Sequence, residues 1–438
     1  MIKEVFLTPF QKFVKVEGLG GILLLLATIL ALAWANSPYG DLYNEIWQFD
    51  IGIATETFEF KKPLILWIND GLMAIFFFLI GLEIKRELMI GELNTPKKIA
   101  FPLVGALGGM IIPVAFFLTI NQNPDTTHGW GIPMATDIAF SLAILNVLGK
   151  RVPLSLKVFL TAFAIVDDIG AVLVIAIFYS GTINITLLLI AIGLLLIGYL
   201  MSYKGYYSRF LTFFMGIIIW FLFLKSGIHP TVAGIMLAFV VPIRQKVDNT
   251  TFIDHLEEVF NDLKKASNLK KPILSSEQIH LIDDLNDWSH RFQSPLQHLE
   301  HNLHGWVAYI IIPIFAFANA GVNVTGSSHI DMALVINIII CLVLGKGIGV
   351  SLIVFLAKKI KLIDVPNDIS FKQIIGVSFL AGIGFTMAIF IASLAFESSL
   401  EYVDSAKIGI LIGSLISAVI GFTILRMSAS ETVSPDSD

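Results

Sequence analysis

Two adjacent acids, Asp167 and Asp168, sit in the middle of an apolar run that extends from Thr161 to Phe178. Asp167 lies sixteen residues beyond Arg151 and eleven before Phe178, which puts both carboxylates near a bilayer midplane if the run spans a membrane. Each Asp at that depth costs about 2.5–3.5 kcal/mol, while each Leu, Ile, Val or Phe contributes only about 0.3–0.6 kcal/mol. The pair therefore cancels roughly ten apolar residues, and an aqueous cavity, a counter-charge or a bound cation has to offset it. A buried structural hydrogen-bond pair is the plainer reading. Ionisable residues within membrane segments, however, mark ion and proton pathways by default.

The rest of the chain supports the membrane premise. Of 438 residues, 56% are hydrophobic and only 14% charged, and many runs approach or exceed eighteen apolar residues. Twelve spans are expected, at about 18–36, 63–84, 99–120, 128–148, 154–179, 183–203, 207–224, 227–243, 304–322, 332–357, 371–396 and 405–427. Basic residues test this count. With the N-terminus inside, 23 of the 29 fall in cytoplasmic segments, against four outside: Lys61, Lys62, Lys225 and Lys407. That asymmetry follows the positive-inside rule and places both termini in the cytoplasm. The expected divisions are 1–17 as a cytoplasmic N-terminus, 18–243 as the first eight spans, 244–303 as a cytoplasmic insertion, 304–427 as the last four spans, and 428–438 as a tail. Leu19–Ala35 ends like a signal-peptidase site but exceeds an ordinary leader core, so it is read as an uncleaved first helix. The single Cys341 lies in an apolar run, so neither an intrachain disulfide nor a thiolate cluster is expected.

Two segments read differently. Residues 43–60 alternate, with Trp47, Phe49, Ile51 and Ile53 on one face and Phe58 and Phe60 resuming the period, which predicts an extracytoplasmic β-hairpin. A lone hairpin is marginal, so pairing with a second copy is expected. Residues 245–300 are polar and carry two amphipathic helical patterns, near 252–266 and 276–293, the second opened by a Ser275/Gln278 capping box.

Three more unusual features fall at membrane depth. Asp137 follows Pro133 and Thr136 in a segment where proline and glycine interrupt a helix, Lys346 stands fifteen residues past Asp331 and twelve before Lys358, and Gly382 and Gly384 break an apolar run. Interrupted helices at corresponding places in two halves point to a binding site in an inverted-repeat transporter, because unwound backbone at that depth is tolerated only beside a cavity. Asp137 suits the positive ends of half-helices and Lys346 the negative ends. Lys346 is too central to reach either interface, so an ion pair with Asp167 or Asp168 is expected. Neighbouring helical residues point about 100° apart, which lets the two aspartates do different jobs.

Taken together, these segments resemble the NhaA-type sodium/proton antiporters. The likeness runs through Trp67-Ile-Asn-Asp70-Gly, Gly81-Leu-Glu83-Ile-Lys85-Arg86-Glu87-Leu88, Ala135-Thr136-Asp137, Ile165-Val-Asp167-Asp168-Ile-Gly170, Ser226-Gly-Ile-His229, Phe315-Ala-Phe-Ala-Asn-Ala-Gly321, Gly345-Lys346 and Gly382-Ile-Gly384-Phe385-Thr386-Met387. It covers nearly the whole chain outside 245–298. The resemblance implies an all-α, twelve-span inverted-repeat fold in a bacterial inner membrane, with two interrupted helices crossing near midplane. It implies electrogenic, pH-regulated exchange of Na⁺ (also Li⁺) for H⁺, with no cofactor. Asp168 and Asp167 look like the cation- and proton-binding pair, Thr136 and Asp137 like the unwound segment shaping the site, and Lys346 like the partner of Asp167. Glu83, Arg86, Glu87, His229 and Glu300 resemble its cytoplasmic-funnel and pH-response positions, although the long insertion departs from the family just before Glu300.

Other readings are weaker. His298, His301 and His304 share a helical face with no fourth zinc ligand in view. Gly409, Gly413, Ser417 and Gly421 form a small-residue packing stripe. A phosphate-binding loop fails at Ile340 and Gly347, which argues against ATP-driven transport. An intramembrane aspartyl protease would need Tyr-Asp and Gly-x-Gly-Asp on separate helices, and neither occurs. A cation channel would need a continuous pore and no central lysine. Nucleic acid is not an expected partner.

Overall fold

A computed structural model describes residues 9–54, 59–91, 95–245, 247–266, 273–323, 330–397 and 399–428. The expected N-terminal residues before 9, the hairpin turn with Phe58 and the tail beyond 428 lie outside them.

Among the described residues nine helices are long and apolar enough to cross a bilayer: Gly18–Ala35, Leu64–Met89, Ile99–Ile120, Leu154–Phe178, Ile185–Tyr203, Arg209–Ser226, Pro295–Asn319, Met332–Lys359 and Leu400–Ser428. Two further spans are broken: Pro124–Met134 with Ile138–Leu148 bends by 43°, and Phe371–Leu380 with Phe385–Ala395 by 45°. The expected span at 227–243 contains only a ten-residue helix, Thr231–Val240. At 1.5 Å per residue it covers about 15 Å, half a hydrocarbon core. Gly227 takes the left-handed conformation (φ 87°) and Pro230 precedes the first turn, so the helix starts late. The helix expected at 304–322 extends back to Pro295 and therefore carries Glu300.

Three helices contain a widened turn with i→i+5 hydrogen bonds, at Trp67–Leu72, Val307–Ile311 and Cys341–Gly345. Such turns are rare and frequent at functional sites. One carries Asp70, and another ends at the residue before Lys346.

The hairpin differs from its expected bounds. Residues Gly40–Gln48 form a helix, and the strands are β1, Asp50–Ala54, and β2, Glu59–Pro63, antiparallel with Ile51 opposite Lys62. Tyr43 and Trp47 belong to an i, i+4 pair, and both rings pack edge-on against Phe317. The period-two pattern is real only from Asp50 onward. In the insertion, Asn249–Ala266 and Ser276–Phe292 are helices, and the Ser275/Gln278 capping box forms.

The spans sort into two packed groups. Ile99–Ile120, Leu154–Phe178, Met332–Lys359, both broken spans and Leu400–Ser428 pack on one another, while Leu64–Met89, Ile185–Tyr203, Arg209–Ser226 and Thr231–Val240 form the second group with small cores of its own. Pro295–Asn319 touches both groups, and Gly18–Ala35 packs on it and on Ile138–Leu148. Within the first group the glycine stripe permits close approach: a Cβ at Gly409 would stand 2.9 Å from the Val335 carbonyl.

Candidate ion site

The two breaks meet. The Asp137 amide donates to the Ile383 carbonyl (2.6 Å), the Thr136 hydroxyl to that of Ala381 (2.9 Å), and Ser141 Oγ to that of Leu380 (2.9 Å). The first break thus satisfies carbonyls that the second leaves open. Asp137 does more. Its Oδ1 accepts from the Phe140 amide (3.2 Å) and caps Ile138–Leu148, while its Oδ2 accepts from Thr386 Oγ1 (2.6 Å) and Thr386 N (3.1 Å). The matching cap on the other break is Ser414 Oγ, which accepts from the Gly384 and Phe385 amides (3.2 and 3.3 Å).

Leu154–Phe178 brings Asp167 and Asp168 to this crossing, both buried. Lys346, fully buried, donates to Asp167 Oδ2 (2.8 Å), to Thr136 Oγ1 (2.7 Å) and to the Met134 carbonyl (2.5 Å). Its ammonium also lies 5.7 Å from the centre of the Phe163 ring. All three of its protons are therefore used. Asp167 Oδ1 is buried with no partner among the described residues. Asp168 accepts no hydrogen bond from them, and Asp167, Asp137 and Lys346 are the charges around it. Two carboxylate groups thus keep free oxygens at the crossing, while Asp137 and Thr136 are committed to joining the breaks.

A second cluster lies at the far end of Leu64–Met89. Glu83, Arg86 and Glu87 share one face there; Arg86 pairs with Glu87 (2.8 Å) and with Glu300, and His304 approaches Glu83 (3.9 Å). The structure thus joins four of the five expected pH-response residues and adds His304, one turn beyond Glu300. His229 is elsewhere. Its Nε2 faces Asp70 Oδ1 (3.6 Å), whose other oxygen accepts from Lys62 (2.7 Å). This departs from a single cytoplasmic funnel, because His229 lies at the hairpin end. His298 contacts Arg209, Gln293 and Asn302. Among the described residues no three His, Cys, Asp or Glu groups are arranged to hold a metal. Lys85, counted in a loop from sequence, is buried and donates to the Phe239 and Val241 carbonyls (2.7 and 2.5 Å) at the end of Thr231–Val240.

A family model described as Na⁺/H⁺ antiporter 1 matches residues 11–425. The chain belongs to this family. It is one of transporters, and these spans are those of a multi-pass membrane protein. Among curated relatives of the family, the Na⁺/H⁺ antiporter NhaA of Oleidesulfovibrio alaskensis is 42% identical over 424 residues, covering 96% of this chain and 94% of the relative. That of Koribacter versatilis is 43% identical over 435 residues, covering 99% and 94%. The fold is also shared with the sodium proton antiporter MjNhaP1 of Methanocaldococcus jannaschii, at TM-score 0.50 and 12% identity over 97% of this chain and 99% of that one.

Proposed function

We propose that the chain is a secondary antiporter that expels Na⁺ and Li⁺ in exchange for protons, electrogenically and under pH control, from a bacterial inner membrane with both termini in the cytoplasm. The observation that carries this reading is a buried, unpartnered Asp168 carboxylate beside Asp167, whose other oxygen is held by Lys346. Asp167 and Asp168 face one ammonium, so this pair keeps one uncompensated negative charge when both are ionised, even before Asp137 is counted. A Na⁺ ion needs such charged oxygens. A proton instead neutralises them, so one site exposed alternately to each side exchanges the two ions by competition. Asp137 and Thr136 shape the site by fixing the crossing, and Lys346 keeps Asp167 from carrying an uncompensated charge at low dielectric. If more protons enter than Na⁺ leaves, the membrane potential supplies about 2.3 kcal/mol per net charge per 100 mV. Homodimerisation through the hairpin belongs to the same proposal.

The test is Na⁺-driven proton movement in everted vesicles. Na⁺ or Li⁺ should dissipate an imposed pH gradient and K⁺ should not. A gradient indifferent to Na⁺ across pH 6 to 9 would refute the reading.

A further inference from the structure

A third charged cluster, away from the ion site and from Arg86, is not used by the mechanism above. Asp70 sits in the widened turn Trp67–Leu72, buried to 7% exposure. Lys62 reaches back to it from strand β2, and the Asp70 carbonyl accepts from Trp220 Nε1 (2.9 Å). The other Asp70 oxygen faces His229, whose Nδ1 meets the Thr231 hydroxyl (2.8 Å). The Thr231 contact holds one edge of the imidazole, and Asp70 stands 3.6 Å from the other, just beyond hydrogen-bond length.

The far edge of that imidazole is apolar. The His229 ring lies 5.4 Å from Phe390, nearly perpendicular to it, and Phe77 and Phe315 pack on Phe390 at 5.7 and 6.2 Å. All three phenylalanines are buried. Phe390 is one turn beyond Thr386, the residue that holds Asp137 at the ion site. Phe77 and His229 belong to the second packed group and Phe390 to the first, so this aromatic cluster crosses the seam between the groups. It lies on the hairpin side of the site, at the opposite end from the Arg86–Glu300 pair.

We propose that Lys62 and Asp70 are positioning residues that latch the hairpin side of the ion path shut, by holding His229 against Phe390 and so closing an aromatic seal with Phe77 and Phe315. A path that opens alternately has to part this seam in one of its states. Lys62 keeps a quarter of its side chain exposed, so the latch is within reach of the solution on that face. The inference rests on the antiport reading for its transport consequences, though not for its geometry.

Releasing the latch shifts the balance toward the state open on the hairpin side, and apparent affinity scales with the fraction of competent state. In Lys62→Met and Asp70→Asn, the apparent KM for Na⁺ should fall about threefold to tenfold at the hairpin face and rise at the opposite face, measured in vesicles of the two orientations. Lys62→Arg, which keeps the charge, should restore wild-type values. With Cys341 replaced by Ala, a membrane-impermeant thiol reagent added from the hairpin side should label Thr386→Cys several-fold faster with Lys62→Met than without it. Unmoved KM values at both faces with unchanged labelling would overturn the latch, as would a loss of maximal rate alone. Faster labelling, together with no Na⁺ movement by the chain that keeps Thr386, would preserve the latch and sink the antiport reading. Normal antiport with unchanged labelling would do the reverse.

Discussion

Asp167 and Asp168 are adjacent in sequence and differ in what they touch. Asp167 is fixed by the Lys346 ammonium, and Asp168 accepts nothing from the described protein. Asp168→Asn keeps the volume and removes the charge, so Na⁺-dependent proton movement should fall to background while the protein still inserts. Normal exchange by that variant would end the proposal for this residue. Removing Lys346 leaves a buried carboxylate uncompensated, which typically costs about 3–5 kcal/mol. Lys346→Ala should therefore unfold at a markedly lower temperature in detergent. Lys346→Arg should keep electrogenic exchange if the lysine only neutralises charge, and lose it if the Lys346 proton is itself exchanged. Wild-type melting and electrogenicity in Lys346→Ala would show the pair to be idle. These residues were legible in the sequence because a charge deep in an apolar run has no inexpensive place to go. Lys62 and Lys85 were not. Each stands near the end of a run, where a lysine reads as an interfacial flank, and only the fold shows one reaching Asp70 and the other capping a helix.

At the scale of elements, the breaks announced themselves through Pro133, Gly382 and Gly384, and their mutual contact followed from carbonyls that need partners. The widened turns left no such trace, since one extra residue per turn is within the ordinary scatter of apolar spacing. The hairpin was misregistered because Trp47 satisfies a period of two as well as a helical one, and only packing against Phe317 separates them. Ser414→Ala, which removes the hydroxyl capping Phe385–Ala395, should cost about 1 kcal/mol of stability and lower the exchange rate without abolishing it. A stability equal to wild type would show the cap to be unimportant. The residues expected to respond to pH divide by element. Glu83 and Glu300 act on one arginine from two helices, whereas His229 sits with Asp70. Glu83→Gln and Glu300→Gln should each shift the activity–pH curve, and together shift it by less than the sum. His229→Gln should add to either independently. Additive shifts for the glutamates would dissolve the cluster as a unit.

The whole molecule is two helical groups joined along a seam, with broken spans crossing inside one group and a hairpin attached to the other. The uneven distribution of its basic residues and its many apolar runs were readable before any packing was known. Which runs pack together was not, because apolar side chains look alike whether they meet lipid or protein. The same ambiguity holds at the hairpin, where Phe49, Ile51 and Ile53 are 66%, 43% and 67% exposed. Two short strands with one apolar face do not stand alone in water, and their outer edges keep free hydrogen-bonding groups. A second copy of the chain offers both an apolar face and an edge. Replacing Ile53, which stands opposite Phe60, with Glu brings like charges from the two copies together across such a contact and leaves Lys62 to Asp70. The variant should crosslink as a dimer at least about tenfold less than wild type, since two buried carboxylates without partners cost more than the 1.4 kcal/mol that a tenfold change requires. Because the proposed ion site draws all its residues from one chain, the monomer should still exchange Na⁺ for H⁺ in vesicles. A dimer population unchanged by the two charges would move the interface to another surface. Monomers without activity would show that the second copy takes part in transport.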